Sequence, residues 1–165
     1  MFFQNRAKFW LLASALLVAV HLWWHYAALP ERMPSHFNGA GHADGWMPKS
    51  AYALLELGLI AGMSLLFLGI GWLVKVVPAD AVNLPNRDYW LAPGRRAETI
   101  RRLGNEIAGF GVALNLFFLG VQDQNIRAAL SGTNRLGPLF TVYLVGFLLY
   151  TLFWTISLYR RWGRN

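Results

Sequence analysis

The chain has 165 residues, of which 56% are hydrophobic, and a mean hydropathy of +0.36. This composition is too apolar for an ordinary soluble domain of this length and predicts an integral membrane protein. The chain has no cysteine, which excludes disulfides, thiolate metal sites and thiol catalysis. The net charge of +7 comes from basic residues that flank apolar runs, so anionic lipid explains it and no nucleic-acid partner is expected.

Four apolar runs predict four membrane-spanning helices in a single domain, 1–165, since about 20 apolar residues in a helix cross a hydrocarbon core of ~30 Å. The predicted spans are 9–29, 51–77, 103–121 and 138–159. The first span carries Trp23, Trp24 and Tyr26 near its end, an aromatic belt that favours an uncleaved helix over a cleaved signal peptide. The third span is the weakest, because it is short and contains polar residues.

Counts of lysine and arginine predict the orientation of these spans. Two lie before the first span, six lie between Lys75 and Arg102, and three follow the fourth span, whereas the other two loops hold four. This bias predicts cytoplasmic termini and a cytoplasmic loop at 78–102, with outer loops at 30–50 and 122–137. The predicted fold is therefore all-α, an integral membrane four-helix bundle, and in a bacterium this membrane would be the inner membrane. The bundle is N-in/C-in, with an ordered extracytoplasmic loop and a basic cytoplasmic loop.

Four polar side chains on three predicted spans fall at a similar depth in the outer half of the membrane: His21, His25, Glu56 and Asn115. A carboxylate in hydrocarbon costs on the order of 2.5–3.5 kcal/mol, so it normally faces a partner or a water-filled cavity. Three interpretations stay open: an interhelical hydrogen-bond cluster, proton or ion handling, and a zinc site formed by His21, His25 and Glu56. The motif H-E-x-x-H is absent, which disfavours a metalloprotease.

The loop between the first two spans is rich in glycine, histidine and turn-forming residues. We expect it to be compact and packed on the outer ends of the helices, with a small polar pocket lined by His36, Asn38, His42 and Asp44. The residues expected to bind a partner or to shape the loop are His36, Phe37, Asn38, Gly41, Asp44 and Trp46. The calcium-binding pattern is missing from this loop, whereas zinc stays open.

The cytoplasmic loop has an aromatic, turn-rich first half and a basic, helical second half. The candidates for partner contact are Asn83, Asn86, Tyr89, Trp90, Arg95 and Arg96. The arginines are also expected to attract anionic lipid. Glu106 is expected to pair with this basic surface, beside Arg101 and Arg102.

Pairs of small residues four positions apart predict close helix packing. They are Gly58 with Gly62, Gly104 with Ala108, and Gly109 with Ala113. The alternative is that glycine is simply common in membrane helices. If such a face is exposed, it would suit a homo-oligomer or a structural subunit that binds other membrane helices.

Two motifs carry a resemblance to a known family. The stretches "LPERMPSHFNGAGHADGWMPKS" (29–50) and "NLPNRDYWLAPGRRAET" (83–99) resemble signature segments of a bacterial four-helix membrane family described as a domain of unknown function. That domain is related to the N-terminal part of the immunity membrane proteins of the sporulation-delaying-protein toxin system. The resemblance implies protection against a secreted toxic peptide, with capture of a cytoplasmic repressor in some systems, and it implies no catalytic residues.

The sequence therefore favours a non-enzymatic membrane protein, in toxin immunity or signalling, that binds a peptide or protein partner through its outer and cytoplasmic loops. The alternative is a small membrane protein or metalloenzyme that binds a proton or a metal through His21, His25 and Glu56. No cofactor is expected, although zinc is the candidate in that alternative.

Overall fold

The computed structural model describes residues 6–163, which contain four helices long and apolar enough to cross a membrane. These are α1 (Arg6–Tyr26), α2 (Lys49–Val76), α4 (Arg96–Leu130) and α5 (Pro138–Trp162). The predicted all-α architecture of a multi-pass membrane protein is thereby confirmed. Shorter elements connect the helices: strands β1 (Arg32–Phe37) and β2 (Ala43–Pro48), a 3₁₀ turn (Ala79–Ala81) and helix α3 (Arg87–Trp90).

Helix α4 lies at the centre of the bundle and packs against α1, α2 and α5, while α1 and α2 also pack on each other. The interior faces of α1 and α2 bury Leu11, Val18 and Ile60. Helix α5 is peripheral, since no residue in its most apolar window is buried. Its exposed leucines, valines and aromatic rings form a surface suited to lipid acyl chains.

Small residues allow helices to approach each other closely. Most of the positions at which they do so differ from the predicted small-residue pairs. Gly104 meets Gly71, where an added Cβ would lie 3.9 Å from the Gly71 Cα, and Ala108 is 1% exposed. At Gly58, Gly62 and Gly109, by contrast, no neighbouring atom lies within 4 Å of an added Cβ. The Gly58–Gly62 face is therefore not used in packing among the described helices.

The third apolar run belongs to a longer helix than its hydropathy indicates. The predicted span was 103–121, whereas α4 covers 35 residues from Arg96 to Leu130. The extension beyond residue 121 is polar in composition, yet Gln122, Gln124 and Ile126 are buried in it. Burial against other parts of the chain, and not hydropathy, explains why the helix continues.

Each end of the bundle has its own apolar cluster. At the end that carries the strands, which we call the hairpin end, the buried residues are Leu22, Leu29, Met33, Tyr52, Ile126 and Ala129. At the opposite end, which we call the tryptophan end, they are Val82, Leu84, Leu91, Ile100, Leu103 and Trp162. The connections are thus packed parts of the fold at both ends.

Candidate functional site

The segment predicted to be a compact outer loop is a β-hairpin. β1 pairs antiparallel with β2, from Arg32 opposite Pro48 to Phe37 opposite Ala43, with irregular register around His36. A Cβ at Gly45 would lie 3.0 Å from the Cβ of His36, so a larger residue at this position would require the neighbouring strand to shift.

One asparagine side chain shapes the turn of the hairpin. Oδ1 of Asn38 accepts hydrogen bonds from the backbone N–H groups of Ala40 (3.0 Å) and His42 (3.1 Å). Gly41 adopts the positive φ of 79° that this turn requires. Asn38 and Gly41 therefore both contribute to the shape of this turn.

The hairpin is fixed to the rest of the fold on two sides. The 131–137 segment between α4 and α5 pairs with the hairpin, since Ala43 donates to the carbonyl of Asn134 and Leu136 donates to that of Gly41. On the helix side, Nδ2 of Asn125 donates to the carbonyl of Pro34 at 3.1 Å. The hairpin is consequently a platform held over the bundle.

A cavity of about 1030 Å³ lies between this platform, the 131–137 segment and the start of α5, and we call it the hairpin cavity. Its polar lining includes half-buried Glu56 from α2, exposed Arg135, and Asn125, whose buried Oδ1 has no hydrogen-bond partner. Its apolar lining includes Phe140 and Leu144 from α5. The cavity is thus bordered by two loops and by a candidate membrane-spanning helix.

The predicted loop residues divide between this cavity and the outer surface. The side chains of His36 and Asp44 form a hydrogen-bonded pair at 2.5 Å, with His36 71% exposed. His36 lines the cavity together with Phe37, Asn38 and Gly41. Asp44, His42 and Trp46 are not part of its lining.

Beneath the hairpin, a glutamine connects two of the predicted intramembrane polar residues. Oε1 of Gln122 lies 2.8 Å from Nδ1 of His21, and Nε2 of Gln122 donates to Glu56 at 3.4 Å. Because an amide oxygen can only accept, Nδ1 of His21 carries the proton in this arrangement. The buried Tyr52 side chain lies near the Glu56 carboxylate.

The other side of His21 faces a charged pair on α4. Nε2 of His21 lies 3.6 Å from Oδ1 of Asp123, and Asp123 accepts a 2.7 Å hydrogen bond from Arg127. The His25 ring packs on the His21 ring with centroids 4.6 Å apart, and its Nδ1 lies 2.9 Å from the His21 carbonyl. The polar network thus runs from Arg127 through His21 to Glu56.

This geometry does not assemble the proposed zinc ligands. Gln122 stands between His21 and Glu56, and amides are not among the usual ligands of zinc. Within residues 6–163, no group of three or more His, Asp or Glu side chains is arranged to hold a metal ion.

Asn115 does not belong to this network, in contrast to the expected cluster of four. It is fully buried, and its Nδ2 donates to the Leu11 carbonyl and to the hydroxyls of Ser14 and Ser64 at 3.1–3.3 Å. Asn115 precedes Gln122 by seven residues on α4, which places it about 10 Å further along the helix. It joins α1, α2 and α4 in the middle of the bundle.

At the tryptophan end, several predicted contact residues hold the fold together. Trp90 donates to the carbonyl of Trp162 at 2.8 Å, and the two rings meet edge to face at 5.0 Å. Asn86, at a positive φ of 51°, donates to the carbonyl of Gly163 at 2.8 Å. These contacts bind the connection between α2 and α4 to the end of α5.

The charged residues of this end also have specific partners. The guanidinium of Arg95 lies 3.9 Å from the centre of the Tyr89 ring, and Arg96 donates to the carbonyl of Val77 at 2.8 Å. Asn83 and Tyr89 line a separate surface depression.

The predicted pairing of Glu106 with Arg101 and Arg102 is wrong. Glu106 pairs with Arg161 and accepts a hydrogen bond from Trp162, whereas Arg101 and Arg102 both pair with Glu98. Glu98 pairs with both arginines because it lies one helical turn before them on the same face of α4.

Sequence reasoning missed four residues of the site at the hairpin end: Gln122, Asp123, Asn125 and Arg135. All four lie after residue 121, where the third span was expected to end. The signal that could have found the first three is the absence of any glycine or proline between Val121 and Leu130, which favours continuation of the helix. Arg135 lies beyond the end of that helix, and this signal does not point to it.

Comparison with known proteins finds one family model that resembles part of the chain. The family model described as "Domain of unknown function (DUF1648)" matches residues 12–61, which include most of α1, the hairpin and the first part of α2. No curated protein matches the chain. No solved structure matches it either.

Proposed function

We propose that this protein binds an extended peptide, or an extended segment of a protein partner, in the hairpin cavity. The observation that supports it most directly is the cavity itself, which at about 1030 Å³ is slightly larger than the ~300–1,000 Å³ usual for small-molecule sites. Its lining combines residues of two loops with one acid, one arginine and apolar side chains, all of which an extended peptide can contact.

The charges of the cavity define the chemistry of the proposed peptide. Within residues 6–163, Glu56 has no cation at ion-pair distance, and the hydrogen bond that it accepts from Gln122 is long, at 3.4 Å. Arg135 likewise has no side-chain partner within the described part of the chain. A peptide with a basic side chain for Glu56 and an acidic group for Arg135 would compensate both charges.

Strand β1 offers backbone groups for the same peptide. The sheet has two strands among the described residues, so β1 pairs with β2 along one edge only. Residues Ser35, His36 and Phe37 of β1 line the cavity. A peptide that binds as an added strand at a sheet edge gains affinity from main-chain hydrogen bonds and specificity from the pockets beside it.

The biological role that fits such a site is immunity to a secreted peptide toxin, or signalling of its presence, in a bacterial inner membrane. This role requires the hairpin end to face outward. The distribution of Lys and Arg supports that orientation, with both termini in the cytoplasm.

The test is to pan a phage-displayed library of short peptides against the protein in lipid nanodiscs. We expect enriched peptides to carry a Lys or Arg, and we expect Glu56→Gln to weaken their binding by about tenfold, equivalent to ~1.4 kcal/mol. Arg135→Gln, His36→Ala and Asp44→Ala are each expected to weaken binding without preventing membrane insertion.

The matched control is Glu31→Gln, because Glu31 is an acid of the hairpin end whose 85% exposed side chain pairs with Lys49 outside the cavity. This variant should bind the selected peptides as the wild type does. The proposal fails if no peptide is enriched over empty nanodiscs, or if Glu56→Gln and Glu31→Gln bind equally well.

The network from His21 through Gln122 to Glu56 supports a second candidate function, the binding or transfer of a proton. An amide bridge between an imidazole and a carboxyl group lets protonation at one end alter the hydrogen bonding at the other. The measurement is proton flux into liposomes that contain the protein and a trapped pH-sensitive dye. Flux that is equal in wild type, Glu56→Gln and empty liposomes would dismiss this candidate.

A further inference from the structure

A second cavity, of about 570 Å³, lies at the tryptophan end between the start of α1, the last turns of α2 and the start of α4. We call it the lysine cleft. Four basic side chains line it, one from α1, one from α2 and two from α4: Lys8, Lys75, Arg96 and Arg101. No acidic side chain is part of the lining.

Two of these four cations are not used elsewhere in the fold. Within residues 6–163, the ammonium groups of Lys8 and Lys75 form no hydrogen bond or ion pair. Arg96 gives one N–H to the Val77 carbonyl and keeps further donors, whereas Arg101 is paired with Glu98. Lys8, Lys75 and Arg96 therefore leave positive charge in the cleft uncompensated, which favours an anion there.

The position of the cleft favours an anion that belongs to a lipid. Its interior is formed by Ile100, which is buried, and by the crossing of Gly71 with Gly104. On the neighbouring helix surfaces, Trp72 is 61% exposed and Phe9 is 63% exposed, as suits contact with acyl chains. The cleft thus combines cations with apolar surface at the end of three candidate membrane spans.

We propose that the lysine cleft binds the phosphate headgroup of an anionic phospholipid. Lys8 and Lys75 hold the phosphate as point charges, and the remaining donors of Arg96 contact its oxygens. The acyl chains lie along the exposed apolar surface beside Phe9 and Trp72. This lipid would join α1, α2 and α4 at the end where the apolar cluster around Trp162 joins α4 and α5.

Native mass spectrometry of the protein in detergent tests this site, with dioleoylphosphatidylglycerol as the probe and neutral dioleoylphosphatidylcholine as its comparison. We expect one phosphatidylglycerol to bind in preference to phosphatidylcholine. Lys8→Gln and Lys75→Gln should each weaken binding by about fivefold, from ~1 kcal/mol per basic residue near the surface, and the double variant by about thirtyfold.

The control with the same loss of charge is Arg160→Gln, because Arg160 is exposed at the same end of the molecule but does not line the cleft. Arg160→Gln should keep the wild-type preference for phosphatidylglycerol. The double variant Lys8→Arg/Lys75→Arg should keep it as well, and this result would also show that the two positions tolerate substitution. Equal binding of both lipids overturns the proposal, and so does an equal loss in Arg160→Gln. Inorganic phosphate that displaces the lipid at similar concentrations would show a site for a free anion and would overturn it too.

Discussion

At the scale of single residues, Gln122 decides how the polar groups under the hairpin are connected. Its side chain is 1% exposed, accepts from His21 and donates to Glu56. A buried polar group that loses its partner costs about 1–3 kcal/mol, whereas removing both partners is nearly neutral. The amide therefore makes it possible to keep an imidazole and a carboxyl group in one membrane bundle.

We expect Gln122→Leu to lower the free energy of unfolding by about 1–3 kcal/mol, because both His21 and Glu56 lose their partner. In the double variant Glu56→Met/Gln122→Leu, part of this loss of stability should be recovered, since no carboxyl group at position 56 is left without its hydrogen-bond partner. Thermal or denaturant unfolding in detergent measures both. Strictly additive effects of the two single substitutions would show that Gln122 and Glu56 are not coupled.

At the scale of elements, glycine positions separate the faces of the helices that pack from those that face lipid. A Cβ at Gly111 of α4 would lie 2.8 Å from Cδ1 of Leu11 and 2.8 Å from Cδ2 of Phe67. At Gly62 of α2, no atom lies within 4 Å of an added Cβ. The same substitution at these two positions therefore has different physical consequences.

We expect Gly111→Ala to destabilise the bundle by about 1–3 kcal/mol, because the side chains of Leu11 and Phe67 must shift within a packed contact. Gly62→Ala should change stability by no more than about 0.5 kcal/mol, as is usual for surface positions. Unfolding of the two variants side by side in the same detergent gives the comparison. Similar stability of both would mean that Gly111 is not at a tight contact.

The second element with a clear structural role is the end of α5, where Trp162 is 2% exposed. It contacts Trp90 and donates to Glu106, and so it joins α5, the connection between α2 and α4, and α4 itself. Trp162→Ala should cost about 3–5 kcal/mol and expose this connection to trypsin at Arg87 and Arg95. Trp72→Ala, at a 61% exposed tryptophan, should leave cleavage unchanged. Equal resistance of both variants to trypsin would contradict the joining role of Trp162.

The elements also show what a sequence can and cannot predict here. Runs of apolar residues predict four helices because the membrane requires them, and composition is enough to see this. The continuation of α4 to Leu130 and the hairpin depend on tertiary contacts, such as the bond from Asn125 to the Pro34 carbonyl. Hydropathy contains no information on such contacts, and so Gln122 and Arg135 were missed although His21, Glu56 and His36 were found.

At the scale of the whole molecule, the two ends differ in chemistry. The hairpin end holds the hairpin cavity, lined by one acid and one arginine, whereas the tryptophan end holds the lysine cleft, lined by four basic residues and no acid. Bacterial membrane proteins keep basic segments in the cytoplasm. Orientation in the membrane therefore decides which of the two cavities meets extracellular molecules, and the peptide-binding proposal depends on it.

Because the chain has no cysteine, single cysteines can report this orientation without background. Glu31 and Asp88 form a matched pair, since they are 85% and 94% exposed acids at the hairpin end and the tryptophan end. We expect Glu31→Cys to react with a membrane-impermeant maleimide in intact cells, and Asp88→Cys to react only after lysis. Gel shifts with a maleimide-coupled polymer measure the labelled fraction. Labelling of Asp88→Cys in intact cells, with Glu31→Cys protected, would show that the molecule has the opposite orientation in the membrane. The hairpin cavity would then face the cytoplasm, where a secreted peptide does not reach it.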